Sequence, residues 1–220
     1  MTKRKYILFF IILLVIILAL GAFIYLKYKS VFIEPAAPER TKKVSVYIPS
    51  NANYEILLDS IYAHQLVTDS TLFQKVARYK ELHKNVHGGH YQIDPDITIN
   101  RLINKFSGGR QTPVNVTFNT IRKIEEFAGS ISQQLELDSS EIMRLMHSKE
   151  ILNMLDIRER ELLGYFIPNT YEFYWNISAK SFFKRMKKEH ERFWNSDRKA
   201  QAQAIELTPH EVATLASIVQ

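Results

Sequence analysis

The 220-residue chain has no cysteine. That excludes a disulfide framework, a thiolate nucleophile and a Cys-based metal site. It has no G-x-S-x-G stretch, no internal repeat and no low-complexity tract. Acidic residues are missing from the first 30 positions, which carry Lys3, Arg4, Lys5, Lys27 and Lys29, a net +5. The other 190 residues hold 24 basic and 23 acidic groups, a net +1. The basic character thus belongs to the N-terminus. The remainder lacks the basic balance that nucleic-acid binding requires, so no nucleic-acid partner is expected. What is present is apolar: 46% of the chain is hydrophobic and 12% aromatic, enough to bury a core.

Ile7 to Leu26 is a run of 20 residues without a charged side chain. As a helix it spans about 30 Å, the thickness of a bilayer's hydrocarbon. Lys3-Arg4-Lys5 precede it, and Tyr6, Tyr25 and Tyr28 flank it as interfacial aromatics. A cleaved signal peptide has a shorter apolar region and a small-residue cleavage site. The run therefore reads as an uncleaved anchor, N-terminus cytoplasmic, with the rest periplasmic or external. The bilayer is the first expected partner.

Residues 31–43, with Pro35 and Pro38 among charges, read as a linker. Between Val44 and Ile93 the pattern is strand, helix, helix, strand. Val44, Val46 and Ile48 alternate with polar residues; Asn51 or Asn53, then Asp69-Ser70-Thr71, cap two helices, the second running to about Leu82. His83 to Gly89 reads as a loop before the Tyr91–Ile93 strand. Thr98 caps a helix to Phe106. Val114–Phe118 alternates as a strand, and Thr120 opens a helix through Ile131. Asp138-Ser139-Ser140-Glu141 resembles a capping box. Phe166 to Trp175 is too rich in aromatics for one face of a regular element. Ser178 caps a helix to about Ser196, and Thr208-Pro209-His210-Glu211 starts the last one. That helix carries the uncharged stretch Leu215 to Gln220 and lacks a Gly, Pro or basic last turn, so it reads as cut rather than terminated. The fold class expected is α+β, divided into 1–30 (cytoplasmic tip and anchor), 31–43 (linker), 44–110 and 111–220.

His83 and His87 at i, i+4, with His90, suggest a metal site, but Gly88-Gly89 interrupt any helix and no carboxylate completes the set. They read as a polar loop; no metal or cofactor is expected. Ser217 sits within a helix rather than on a strand-to-helix elbow, which disfavours a hydrolase triad. The Phe166–Trp175 stretch interleaves Pro168, Asn169, Thr170 and Glu172 with aromatic rings. Stacking faces beside amide and hydroxyl groups suit a sugar. Glu172, between Tyr171 and Phe173, is a candidate glycosidic acid or, more plainly, a surface strand residue.

Three stretches together resemble one family: His90-Tyr91-Gln92-Ile93 with Pro95, Phe166-Ile167-Pro168-Asn169-Thr170-Tyr171-Glu172-Phe173, and Ala216-Ser217-Ile218-Val219 after Thr214. The chain is similar to the YceG-like (MltG) endolytic murein transglycosylases. The resemblance implies a single-pass inner-membrane anchor, a LysM-like subdomain over 44–110 and a mixed α/β catalytic domain from 111, incomplete here. It implies a lytic transglycosylase, a lyase cutting the bond between N-acetylmuramic acid and N-acetylglucosamine with 1,6-anhydro ring formation. Its partners would be peptidoglycan glycan strands and wall synthases. Phe166, Pro168, Asn169, Thr170, Tyr171, Glu172 and Ser217 would line the substrate. The family pattern Ala-Ser-Ile-x-x-x-Glu-Thr places the catalytic Glu two residues past Gln220, so residues 1–220 alone are expected to be inactive. Asn169 stands where relatives often have Asp, which keeps hydrogen bonding and removes an acid. The alternative is a non-enzymatic, anchored peptidoglycan-binding module that recruits synthases.

Overall fold

The computed structural model describes residues 2–119 and 122–219. The side chains of 2–6 and 217–219 lie outside that description. The architecture is α+β and separates into two units, Met1–Gln111 and Thr112–Gln220.

The first unit begins with α1, Thr2–Phe32. Its residues from Ile7 to Leu26 are exposed all round. Ile7–Phe32 is long and apolar enough to cross a membrane by length and composition. Strand β1 (Val44–Ile48) is followed by α2 (Tyr54–Ala63), α3 (Ser70–Tyr79), a 3-10 turn at Leu82–Lys84, β2 (Gly89–Ile93) and α4 (Ile99–Ser107). The three helices start where small polar side chains accept a first-turn N–H: Asn53 from Ile56 at 2.9 Å, Asp69 from Leu72 at 2.8 Å and Thr98 from Arg101 at 3.3 Å. β1 and β2 pair antiparallel, Val44 opposite Ile93 and Ile48 opposite Gly89. The alternation puts Val46, Ile48, Tyr91 and Ile93 inward against Leu57, Ile61, Phe73 and Phe106. Tyr91 meets Phe106 edge-on at 4.9 Å and donates its hydroxyl to the His87 carbonyl at 2.7 Å. β2 opens at Gly89, whose φ of +140° suits glycine rather than an L side chain.

Two boundaries differ from the sequence reading. α3 stops at Tyr79 because Glu81 takes a left-handed φ of 56°. The segment expected as a linker is partly packed. Ala36 and Ala37 are buried, Ala36 N–H donates to Ile97 O at 2.8 Å, and Thr68 N–H donates to Ala36 O at 2.9 Å. Small side chains let this strap lie close against the core.

The second unit has strand β3 (Val114–Phe118), then α5 (Ile124–Gln134), α6 (Ser139–Met146), α7 (Lys149–Leu155), a 3-10 turn at Glu159–Glu161, α8 (Leu162–Tyr165), strand β4 (Asn169–Phe173), α9 (Ala179–Phe193), α10 (Ser196–Ala204) and α11 (Pro209–Val219). The helix start expected at Thr120 and Ile121 lies outside the described residues. Asp138 caps α6, accepting from Ser140 N at 2.7 Å and Glu141 N at 3.1 Å. The helix expected to run to Ser196 ends at Phe193. A second one follows, with Asn195 accepting from Arg198 N at 3.0 Å.

The dense aromatic run resolves into three local structures: the end of α8, a turn, and β4. Phe166 stacks on Phe127 at 4.4 Å, Tyr171 on Phe118 at 5.3 Å, and Phe173 tilts against Phe182 at 5.1 Å. These rings centre a core that also takes in Val116, Ile131, Ile142 and Phe183. Phe127 is fully buried at the middle of it. Phe127→Ala should therefore cost about 3–5 kcal/mol of stability. Chemical unfolding of the full chain in detergent, read at the tryptophans Trp175 and Trp194, measures it.

Candidate functional site

The β3/β4 ribbon places most of the residues singled out in the sequence. The strands pair antiparallel, Asn115 opposite Glu172, Thr117 opposite Thr170 and Phe118 opposite Asn169. Alternation sends Tyr171 and Phe173 into the core, while Thr170 and Glu172 are exposed beside Asn115 and Thr117. The Thr117 and Thr170 hydroxyls lie 2.7 Å apart across the strands. Asn169, at the strand's start, accepts from Thr170 N–H at 2.7 Å. Pro168 and Asn169 are exposed, and Tyr171 donates its hydroxyl to the Ile167 carbonyl at 2.6 Å. Burial pushes the Tyr171 phenol above its ordinary pKa.

The predicted substrate residues thus divide. Asn169, Thr170 and Glu172 form an exposed polar edge on one strand. Phe166 and Tyr171 are buried and shape that strand from below rather than presenting a ring to a ligand. The Ser217 side chain lies outside the described residues. On the outer side of β3, Gln134 mimics a third strand. Its amide accepts from Thr117 N at 2.9 Å and donates to Thr117 O at 3.1 Å.

A cleft of about 990 Å³ lies beside α11, a feature that the sequence reading missed. Its wall includes Arg158, Glu161, Tyr165, His190, Trp194 and His210. Tyr165 and His190 stack face to face at 3.9 Å and 4°. His190 Nδ1 donates to the Tyr165 carbonyl at 2.9 Å, which leaves Nε2 as the titrating nitrogen. Burial pulls the His190 pKa below its ordinary value, and burial pushes the Tyr165 phenol up to about 12. Arg158 grips the Glu161 carboxylate and holds its pKa at about 2. The signal missed was spacing across the chain: Tyr165 and His190 are 25 residues apart, and no local pattern joins them.

The last helix is fixed at its start by a reciprocal box. Thr208 N–H donates to Glu211 Oε2 at 2.8 Å, and Glu211 N–H donates to Thr208 Oγ1 at 3.3 Å. The Thr208 N–H, and the Thr208 hydroxyl that donates to the same oxygen at 2.7 Å, hold the Glu211 carboxyl below the ordinary carboxylate range. α11 then crosses α8 at Gly164, where a Cβ would stand 3.3 Å from the His210 ring. Leu215, on the same helix, is 51% exposed. The histidines of the first unit stay apart in role: His83 meets Tyr54 edge-on at 6.3 Å, and His90 is buried under Tyr47 at 4.7 Å. Among the described residues no group of three or more His, Asp or Glu converges on a metal-sized point.

A family model described as the YceG-like family matches residues 46–220. Among solved structures, the chain is similar to a 2.6 Å crystal structure described as a YceG-like protein from Listeria monocytogenes, at 17% identity and a TM-score of 0.47. The match covers 81% of this chain and 64% of that one, so the chain spans under two thirds of that protein's length. No curated protein matches the chain.

Gly164→Val should push the His210 ring and loosen α11. Limited proteolysis should then cut within residues 209–219 several-fold faster, while cuts in the first unit keep their rate. His190 gives a pH signature. Its folded pKa lies below the unfolded value near 6.5, so the unfolded chain binds the proton first. Stability is whole above pH 6.5 and falls as pH drops through that value toward the folded pKa. Between pH 7.5 and 5.5 the melting temperature should fall less for His190→Gln than for the native chain.

Proposed function

Because the chain belongs to the YceG-like family, we propose that the protein is a membrane-anchored endolytic lytic transglycosylase of peptidoglycan. The observation that carries this reading is the family match, which takes in both the Phe166–Phe173 stretch and α11. In this reading α1 is a single-pass anchor. The Lys3-Arg4-Lys5 cluster keeps its N-terminus cytoplasmic, and the chain that follows α1 lies outside the inner membrane. The strand–helix–helix–strand of the first unit is a LysM-like subdomain, and the second unit begins the catalytic domain.

The polar edge of β4 meets the glycan. Asn169, Thr170 and Glu172 offer amide, hydroxyl and carboxylate groups to sugar hydroxyls, while Phe166 and Tyr171 hold the strand in place. The catalytic acid is the Glu that the family pattern puts two residues past Gln220. It protonates the oxygen linking N-acetylmuramic acid to N-acetylglucosamine as that bond breaks. The resulting carboxylate then takes the proton of the muramyl 6-hydroxyl, whose oxygen closes the 1,6-anhydro ring. One carboxyl serves both steps because no water is activated, unlike in two-carboxylate hydrolases. Exposed Leu215 offers apolar surface on α11, the kind of surface that raises the pKa of a carboxyl beside it. Cutting within nascent strands would limit their length and bring the protein to wall synthases.

Purified, uncrosslinked glycan strands provide the test. The protein continuing through that Glu should make internal cuts ending in 1,6-anhydro residues. The same protein with Gln in its place, and residues 1–220 alone, should make none. Anhydro ends from residues 1–220 alone would move the acid role to Glu172. Binding without cleavage by any of the three would replace the enzyme with a synthase-recruiting module.

A further inference from the structure

Charge in the second unit is segregated along the chain. Residues 179–199 carry eight basic and three acidic side chains, a net +5, while the rest of 112–220 carries six basic and twelve acidic, a net −6. This basic segment is mostly α9, and the packing of α9 decides where its charges point. Ala179, Phe182, Phe183 and Met186 are buried on one side. Lys180, Lys184 and Lys188, spaced i, i+4 and i+8, are all exposed. On a helix that spacing forms a row about 12 Å long.

The acids of the segment do little to neutralise this row. Glu189 is held by Arg185 at 2.6 Å and Arg192 at 2.9 Å, and Glu191 faces Lys187 at 3.6 Å. Lys180 pairs with Glu150 from α7. Lys184 and Lys188 form no ion pair among the described residues. Glu150, which also feels the charge of Lys184, offsets one end of the row, and the row is otherwise a set of exposed ammonium charges on a helix whose other side is locked in the core. Lysine heads suit point contacts to phosphates rather than a fixed bidentate geometry.

We propose that the outward face of α9 docks on the anionic phospholipid headgroups of the membrane that holds the chain's own first helix. The proposal rests on the reading of α1 as an anchor. A tether makes the contact intramolecular, so even weak attraction is effective. Each basic residue near an anionic leaflet strengthens attachment roughly fivefold. The acidic remainder of the unit, apart from Glu150 beside Lys180, is repelled by the same surface. Attraction and repulsion together give the second unit one preferred orientation, α9 toward the bilayer.

The test uses the full chain in nanodiscs of phosphatidylcholine, with or without phosphatidylglycerol. Lysines are labelled with an amine-reactive ester and read by mass spectrometry, with exposed Lys75 on α3 as the control. Docking predicts that phosphatidylglycerol slows labelling of Lys184 and Lys188 by about threefold or more at low salt, with Lys75 unchanged and the effect lost at high salt. Lys184→Glu with Lys188→Glu should abolish the matching protection of Lys180. Equal labelling in both discs overturns the proposal. So does protection that appears only with soluble poly(glycerol phosphate), which would assign the face to a wall polymer. A chain that does not enter the discs sinks the anchor separately. In that case, pelleting with phosphatidylglycerol vesicles but not phosphatidylcholine vesicles, lost in the double variant, still supports docking, and its absence overturns it.

Discussion

A two-stranded β-ribbon is marginal in water, and both units are built on one. Each ribbon therefore needs helices to cover one face, and that requirement sets the rest of the architecture. In the first unit, Val46 and Ile48 of β1 and Tyr91 and Ile93 of β2 supply the inward face, and α2, α3 and α4 close over it. In the second, Val116, Phe118, Tyr171 and Phe173 play that part under α5 and α9. The strands are short, five residues each, so few inward positions are available. The second ribbon fills several of them with rings, and ring stacking rather than strand length supplies much of its cohesion.

The same constraint fixes what the outward faces can be. Once Tyr171 and Phe173 are spent on the core, Thr170 and Glu172 must face water. A polar, solvent-facing edge is thus a by-product of how β4 is anchored. The aromatic residues of the motif and its polar residues do different jobs on opposite sides of one strand.

Local signals in the sequence were readable where one side chain decides the structure. Asn53, Asp69, Thr98, Asp138, Ser178 and Thr208 start helices where their caps predict. The alternating strands at Val44 and Val114 were equally plain. At Phe166–Trp175 the aromatic density showed that no single regular face holds the run, but not that it divides between a turn after α8 and the strand β4. α10 was missed since its apolar face is slight: Ala202 is its only buried residue. The cleft was invisible because its wall joins residues far apart in the chain, Tyr165 with His190 and Gly164 with His210. Of the candidate site, the exposed edge of β4 was legible by position but not the burial of Phe166 and Tyr171 beneath it.

Gln134 has a consequence for how the second ribbon can grow. By satisfying both backbone groups of Thr117, its amide blocks the outer border of β3 at that residue. On β4 the Asn169 amide oxygen likewise takes the Thr170 N–H, so each strand carries a side-chain cap at the Thr117/Thr170 pair. A strand added to either border would first have to displace one of these caps, so the pair at Thr117 and Thr170 holds the ribbon at two strands.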